Sequence, residues 1–160
     1  MKKIIIIMLT IMLAIVVSAC SVDKSSTIEV KQSAKEMADQ MVKKVQEPAQ
    51  MELSAEELKD LYKIDPKKLE DFSIRVPMMN VKTNEIAILK VKDAKDVADV
   101  KAAAKQRAEN VMKQFEHYLP DQYENAKNYR LITKGNYVLL VISDKADEII
   151  KVYDSFFKQK

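Results

Sequence analysis

The sequence predicts an α+β domain: a four-stranded, mostly antiparallel sheet from two strand-strand-helix units, with helices packed on one face and preceded by N-terminal helices. Three observations lead there. Apolar residues recur at intervals of three and four around residues 30–45, 97–118 and 146–157, the period of an amphipathic helix. They alternate, or run without a break, around residues 72–79, 86–91 and 137–142, which is strand patterning. Two stretches, NEIAILKVKDAKDVADV and GNYVLLVISDKADEIIKV, repeat one order: strand, short polar break with an aspartate, helix.

Each element has its own signals. Ser26 and Glu29 have capping-box spacing and open a first helix with the stripe Val30, Ala34, Met37, Met41 and Val45, ending before Pro48. Ser54 and Glu57 repeat that spacing ahead of Leu58, Leu61 and Tyr62. Asp65-Pro66 places a capping residue before a proline at a first helical position, with Leu69 and Phe72 as the buried side. Phe72, Ile74, Val76 and Met78 then alternate with Ser73, Arg75, Pro77 and Met79. Pro77 cannot donate to a ladder, so this strand is expected at an edge or broken by a bulge.

NVKTN makes a turn into a second strand, Ile86 to Val91. Asp93 or Asp96 caps the longest helix, whose core face is Val97, Val100, Ala104, Ala108, Val111, Phe115 and Tyr118, and Pro120 stops it. Beyond a short polar stretch, YRLITKGNYVLLVI reads as a hairpin turning at Gly135-Asn136, with glycine where a positive φ is needed. Tyr137 to Ile142 is apolar at every position and is expected to be buried on both faces. Ser143 or Asp144 caps the last helix, with the stripe Ala146, Ile149, Ile150, Tyr153, Phe156 and Phe157.

The N-terminus carries a different kind of information. Met1-Lys2-Lys3 precedes an apolar run, Ile4 to Val17, interrupted only by Thr10. Basic residues, a short apolar stretch and then small residues form the layout of a secretory signal peptide. The run is about 14 residues, short of the ~20 that span a bilayer comfortably. Val17, Ser18 and Ala19 lead into Cys20, the single cysteine of the chain. This stretch resembles the lipobox of bacterial lipoproteins, and the resemblance implies cleavage before Cys20 and a diacylglyceryl group on its sulfur. An exposed free thiol on a secreted protein invites oxidation, and a thioether removes that liability. Two acyl chains anchor stably where one holds only marginally. The expected organisation is therefore a leader over 1–19, a lipidated Cys20 and tether over 20–27, and a single α+β domain over 28–160.

Loss of Lys2 and Lys3 with the leader brings the formal net charge of +3 close to neutral. No clustered basic face points to nucleic acid. The stretches LYKIDPKKLEDFSIRVPMM, NEIAILKVKD and GNYVLLVISDKADEIIKVYDSFF resemble the domain-of-unknown-function 4358 family of bacterial lipoproteins, common in low-GC Gram-positives. The likeness covers roughly residues 30 to 157. It implies an extracytoplasmic lipoprotein with an α+β domain and brings no known activity, so no functional residue is carried over.

Catalytic and metal-binding patterns are sparse. One glycine, Gly135, excludes glycine-rich phosphate cradles, so no cofactor is expected. The single histidine, His117, lies about 200° around the long helix from Phe115 and points to solvent. A base role for it with Asp121 and Ser143 has no supporting spacing. With Cys20 acylated, no Cys–His pair remains, and one histidine cannot make the usual zinc set. Asp93, Asp96 and Asp99 recur at three-residue spacing but lack the glycine and terminal glutamate of a calcium loop. Met78-Met79 offers thioethers, yet neighbours in a strand point to opposite faces, one to the core and one to a surface groove. Tyr62, Tyr123, Tyr129 and Tyr137 are a possible contact set for glycan, peptide or protein, set against ordinary core-edge tyrosines. The charge-rich stretch KVKDAKDVADVKAAAKQRAENVMKQ reads as the wet face of a helix.

The expected function is that of a non-enzymatic lipoprotein held on the outer face of the cytoplasmic membrane through Cys20. There it would serve as a protein-interaction or accessory module of an envelope assembly, with the strand around Pro77 the first candidate surface. The alternative is a protein that binds a small ligand or cell-wall fragment in a pocket between sheet and helices.

Overall fold

The computed structural model describes residues 30–158. The leader, Cys20, the tether and the Ser26–Glu29 pair lie outside the described residues. The elements in chain order are α1 (Ala34–Val45), β1 (Gln50–Glu52), α2 (Ala55–Tyr62), β2 (Leu69–Pro77), β3 (Glu85–Val91), α3 (Val97–Phe115), α4 (Pro120–Lys127), β4 (Arg130–Lys134), β5 (Tyr137–Ile142) and α5 (Ala146–Phe156). Short 3-10 turns, Pro66–Lys68 and Ala94–Asp96, lead into β2 and α3.

The sheet has five strands in the order β1-β2-β3-β5-β4, every neighbouring pair antiparallel. The expected four strands are all present. The fifth, β1, is three residues long, too short to show a period, and forms the edge beside β2. Pro77 therefore does not mark an edge strand. It is the last residue of β2, where its missing N–H costs no interior bond, and the bulge in β2 falls at the other end, between Leu69 and Asp71. Leu69, expected on the buried side of a helical piece, belongs to β2, as does Phe72, where the strand alternation was expected to begin.

Helices cover both faces of the sheet, not one. Side chains alternate across a strand, so β3 sends Ala87, Leu89 and Val91 to one side and Ile86 and Ile88 to the other. β5 divides in the same way, Val138, Leu140 and Ile142 against Tyr137, Leu139 and Val141. The first set packs under α3, through Val100, Ala104, Ala108 and Val111, and under Leu58 and Tyr62 of α2. The second packs under Met37, Ala38 and Met41 of α1 and Ile149 and Tyr153 of α5. Strands apolar on both faces would otherwise expose one of them to water.

Helix α1 starts later than expected. Its capping box is Ser33 with Glu36, seven residues beyond the Ser26–Glu29 pair, and Val30 precedes the helix. The carboxylate of Asp71 on β2 accepts from the Ala34 N–H at 2.6 Å, a negative charge at the positive end of the helix. The Ser54–Glu57 box opens α2 as expected. Tyr118 lies beyond the end of α3 and is 63 % exposed. Pro120 begins α4 at its first turn, so the polar stretch after it is a helix, held by only one fully buried side chain, Ala126. Gly135 turns the β4–β5 hairpin at φ 56°.

Candidate functional site

Glu85 opens β3 on the face beneath α2 and α3, with a side chain only 2 % exposed. A carboxylate so buried needs partners. Arg107, from the middle of α3, donates Nε to Oε1 at 3.0 Å and Nη2 to Oε2 at 2.7 Å, a bidentate pair. The Tyr62 hydroxyl, from the end of α2, donates to Oε1, and the guanidinium sits 5.9 Å from the centre of the Tyr62 ring. Burial, then the Glu85 charge, pushes the Tyr62 hydroxyl well above its ordinary value, so the phenol stays protonated. Burial works against the Arg107 charge, but hydrogen bonding and attraction to Glu85 outweigh it and raise its pKa. Both carboxylate oxygens are thus engaged, and the trio locks two helices to the central strand.

Arg107 and Glu85 also form the back wall of a groove of about 210 Å³ between the β2–β3 turn and the C-terminal half of α3. Met79 and Lys82 from the turn, and Gln114 and Phe115 from α3, complete it. The turn is fixed in place. Lys82 N–H donates to the Met79 carbonyl, and the Thr83 N–H and hydroxyl both reach Gln122 Oε1 on α4. Asn125 Nδ2 donates to the Thr83 hydroxyl at 3.0 Å. Met79, 60 % exposed, lines this opening, Met78 at 66 % and Val81 stand exposed on the same turn, and the Tyr118 ring lies 6.5 Å from that of Phe115. Neither methionine enters the core, contrary to the strand alternation expected of them. β2 ends at Pro77, and both belong to the turn.

On the far side of the Thr83–Asn125 bond a second opening, about 290 Å³, is lined by Asp121, Glu124, Asp144 and Asp147, with Arg130 the one cation. Asp121 and Ser143 do meet in this cleft, but His117 is not part of its lining and is exposed. The Ser143 hydroxyl donates to Glu47 at 2.6 Å and accepts from the Lys145 N–H, so it fastens the α1–β1 loop to the start of α5. A third, wide opening of about 560 Å³ is lined by Lys59, Lys63 and Lys67 with Asp65 and Pro66.

The remaining candidates have structural roles. Asp93 caps the 3-10 turn through the Lys95 N–H and pairs with the Lys95 side chain, and Asp96 and Asp99 pair with Lys68. The hydrogen bond to Asp96 raises the Lys68 ammonium above its usual value. Tyr62 and Tyr137 are buried, and Tyr123 and Tyr129 are half-buried against the first core cluster. Among the described residues no group of three or more His, Cys, Asp or Glu side chains could hold a metal. Likewise, no described helix is long and apolar enough to cross a membrane.

A five-stranded antiparallel sheet between two layers of helices, with a small groove at one end, defines the class of molecule. The chain belongs to the family known as domain of unknown function DUF4358, whose model matches residues 43–143. No curated protein and no solved structure matches the chain significantly.

Proposed function

We propose that the chain is a lipoprotein anchored through a diacylglyceryl group on Cys20 to the outer face of the cytoplasmic membrane, where its domain acts without catalysis as an interaction or accessory module of an envelope assembly. One observation carries the interaction reading: the apolar side chains of Met78, Met79 and Val81 stand exposed on a turn whose backbone and threonine are held by hydrogen bonds. A rigid apolar surface rimmed by polar groups is what protein contacts use. Anchoring raises the local concentration of membrane partners, so a modest interface suffices.

The test has two independent readings. Intact mass of the native protein is expected to show an acylated N-terminal Cys20, and an unmodified leader or bare thiol would remove the anchor. Crosslinking in cells from position 79 is expected to give one discrete protein adduct, which a crosslinker at exposed Lys31 does not give. The second reading, a bound small molecule, is favoured by the 560 Å³ opening, which lies in the range of small-ligand pockets. Its three lysines would select an anionic metabolite or wall fragment, detected as a thermal shift.

A further inference from the structure

We infer that the groove beside the exposed methionines of the β2–β3 turn and the acidic cleft next to it form one docking surface, and that its partner is a basic, apolar-faced segment of another protein. The inference rests on the interaction reading above and adds the chemistry of the partner.

Size comes first. About 210 Å³ is below the ~300–1,000 Å³ typical of small-molecule pockets, so the groove suits a single large side chain of a larger partner. Met79 lines it and Met78 stands exposed next in the chain, and the flexible, polarizable methionine side chain recurs at surfaces that receive apolar helix faces.

Charge comes second. The groove and the cleft share a wall, since Thr83 lines one, Asn125 lines the other, and the two are hydrogen-bonded. A segment lying across that wall meets four carboxylates, Asp121 and Glu124 on α4 and Asp144 and Asp147 at the start of α5. Arg130 reaches Asp147 and Lys127 reaches Glu124, while Asp121 and Asp144 have no cation among the described residues. On the groove side Glu85 neutralises Arg107, and Lys82 has no ion-pair partner among the described residues. Lys82 therefore sets direction: the partner's cations belong over the cleft, not over the turn.

Position comes third. Glu85 and Ile142 pair at the groove end of the sheet, and Lys90 and Tyr137 at the other. Val30, where the described chain begins, packs against the second core cluster, and its backbone hydrogen-bonds Tyr137. Val30 thus lies toward the end of the sheet opposite the methionines, which is roughly 20 Å from the groove end along β3. Charge weighs against a lipid surface, because anionic headgroups would face the carboxylates of Asp121 and Asp144, unpaired among the described residues.

The experiment measures binding of the acylated protein, held in phosphatidylcholine nanodiscs without detergent, to a short helical-spaced Leu/Lys peptide, its Leu/Glu counterpart, and phosphatidylglycerol vesicles. The Leu/Lys peptide is expected to bind, with the Leu/Glu peptide about tenfold weaker, one well-placed contact's worth. Met78→Ser with Met79→Ser is expected to weaken it by a similar factor. Asp144→Lys with Asp147→Lys is expected to reverse the preference between peptides, while Asp60→Lys, at an exposed position of α2 that lines neither opening, leaves it unchanged. Equal binding of both peptides, indifference to both double variants, or vesicle binding that the methionine variant abolishes would each overturn the proposal. Failure to find acyl mass on Cys20 would sink the anchor and leave the peptide result standing.

Discussion

At the scale of single residues, the Glu85–Arg107–Tyr62 trio is the most consequential feature of the chain. Removing one partner of a buried pair leaves an uncompensated charge, which costs about 3–5 kcal/mol. Arg107→Ala is therefore expected to lower unfolding stability by about that amount in denaturant titrations. Tyr62→Phe, which removes one hydrogen bond to a charged group and keeps the ring, should cost about 1.5–3 kcal/mol. Equal losses for the two would mean that the guanidinium is not the principal counter-charge. This trio was only partly legible in the sequence. Tyr62 stands out there as a candidate, but Glu85 falls between the NVKTN turn and the apolar run from Ile86, with nothing to mark it as buried. Arg107 falls in a charge-rich stretch that reads as solvated. One signal was available: Arg107 lies three residues after Ala104 and four before Val111, on the flank of the core stripe. A charge so placed needs a partner from the sheet.

At the scale of elements, α1 shows what capping rules can and cannot decide. SSTIEVKQSAKE holds two serine–glutamate pairs at capping-box spacing, Ser26–Glu29 and Ser33–Glu36, and local chemistry alone does not choose between them. The sheet makes the choice. Asp71 caps the Ala34 N–H, and beneath the helix Lys35 and Asp39 meet Glu52, Ser73 and Arg75 in a polar seam. Those contacts come from strands distant in sequence, one of them the three-residue β1, so no local period announces them. The seam gives stability a pH dependence. Burial alone would raise the Glu52 carboxyl, but hydrogen bonds from Lys35 and Ser73 and the Arg75 charge outweigh it and hold it below its ordinary 4.5. A lowered carboxylate pKa stabilises the fold above the unfolded value, and that contribution is lost as pH falls through the folded one. Melting temperature is therefore expected to drop between neutral pH and pH values below 4.5, and less steeply in Glu52→Gln. An identical acid limb in the variant would place the titrating group elsewhere.

At the scale of the whole molecule, the family match and the folded unit do not coincide. The match spans residues 43–143, while the helices that cover the second face of the sheet are α1, Ala34–Val45, and α5, Ala146–Phe156. Met37, Ala38 and Met41 on one side, and Ile149 and Tyr153 on the other, all fall outside it. Without them Ile86, Ile88, Leu139 and Val141 would face water on the two most apolar strands. The need for that cover was legible: Tyr137 to Ile142 is apolar at every position, which a sheet with helices on one face cannot satisfy. Which helices supply it was not, because amphipathic stripes carry no address. A fragment of residues 43–143 is thus expected to aggregate, or to bind a hydrophobic dye without a cooperative melt. Residues 30–158 should unfold in one transition, since both layers of helices share the strands between them. Met41→Ala in the second layer and Leu140→Ala in the first should each cost about 2–5 kcal/mol and shift that single transition as a whole. Separate melting of the two layers, or a well-folded 43–143 fragment, would show that the second face is an accessory and not part of the core.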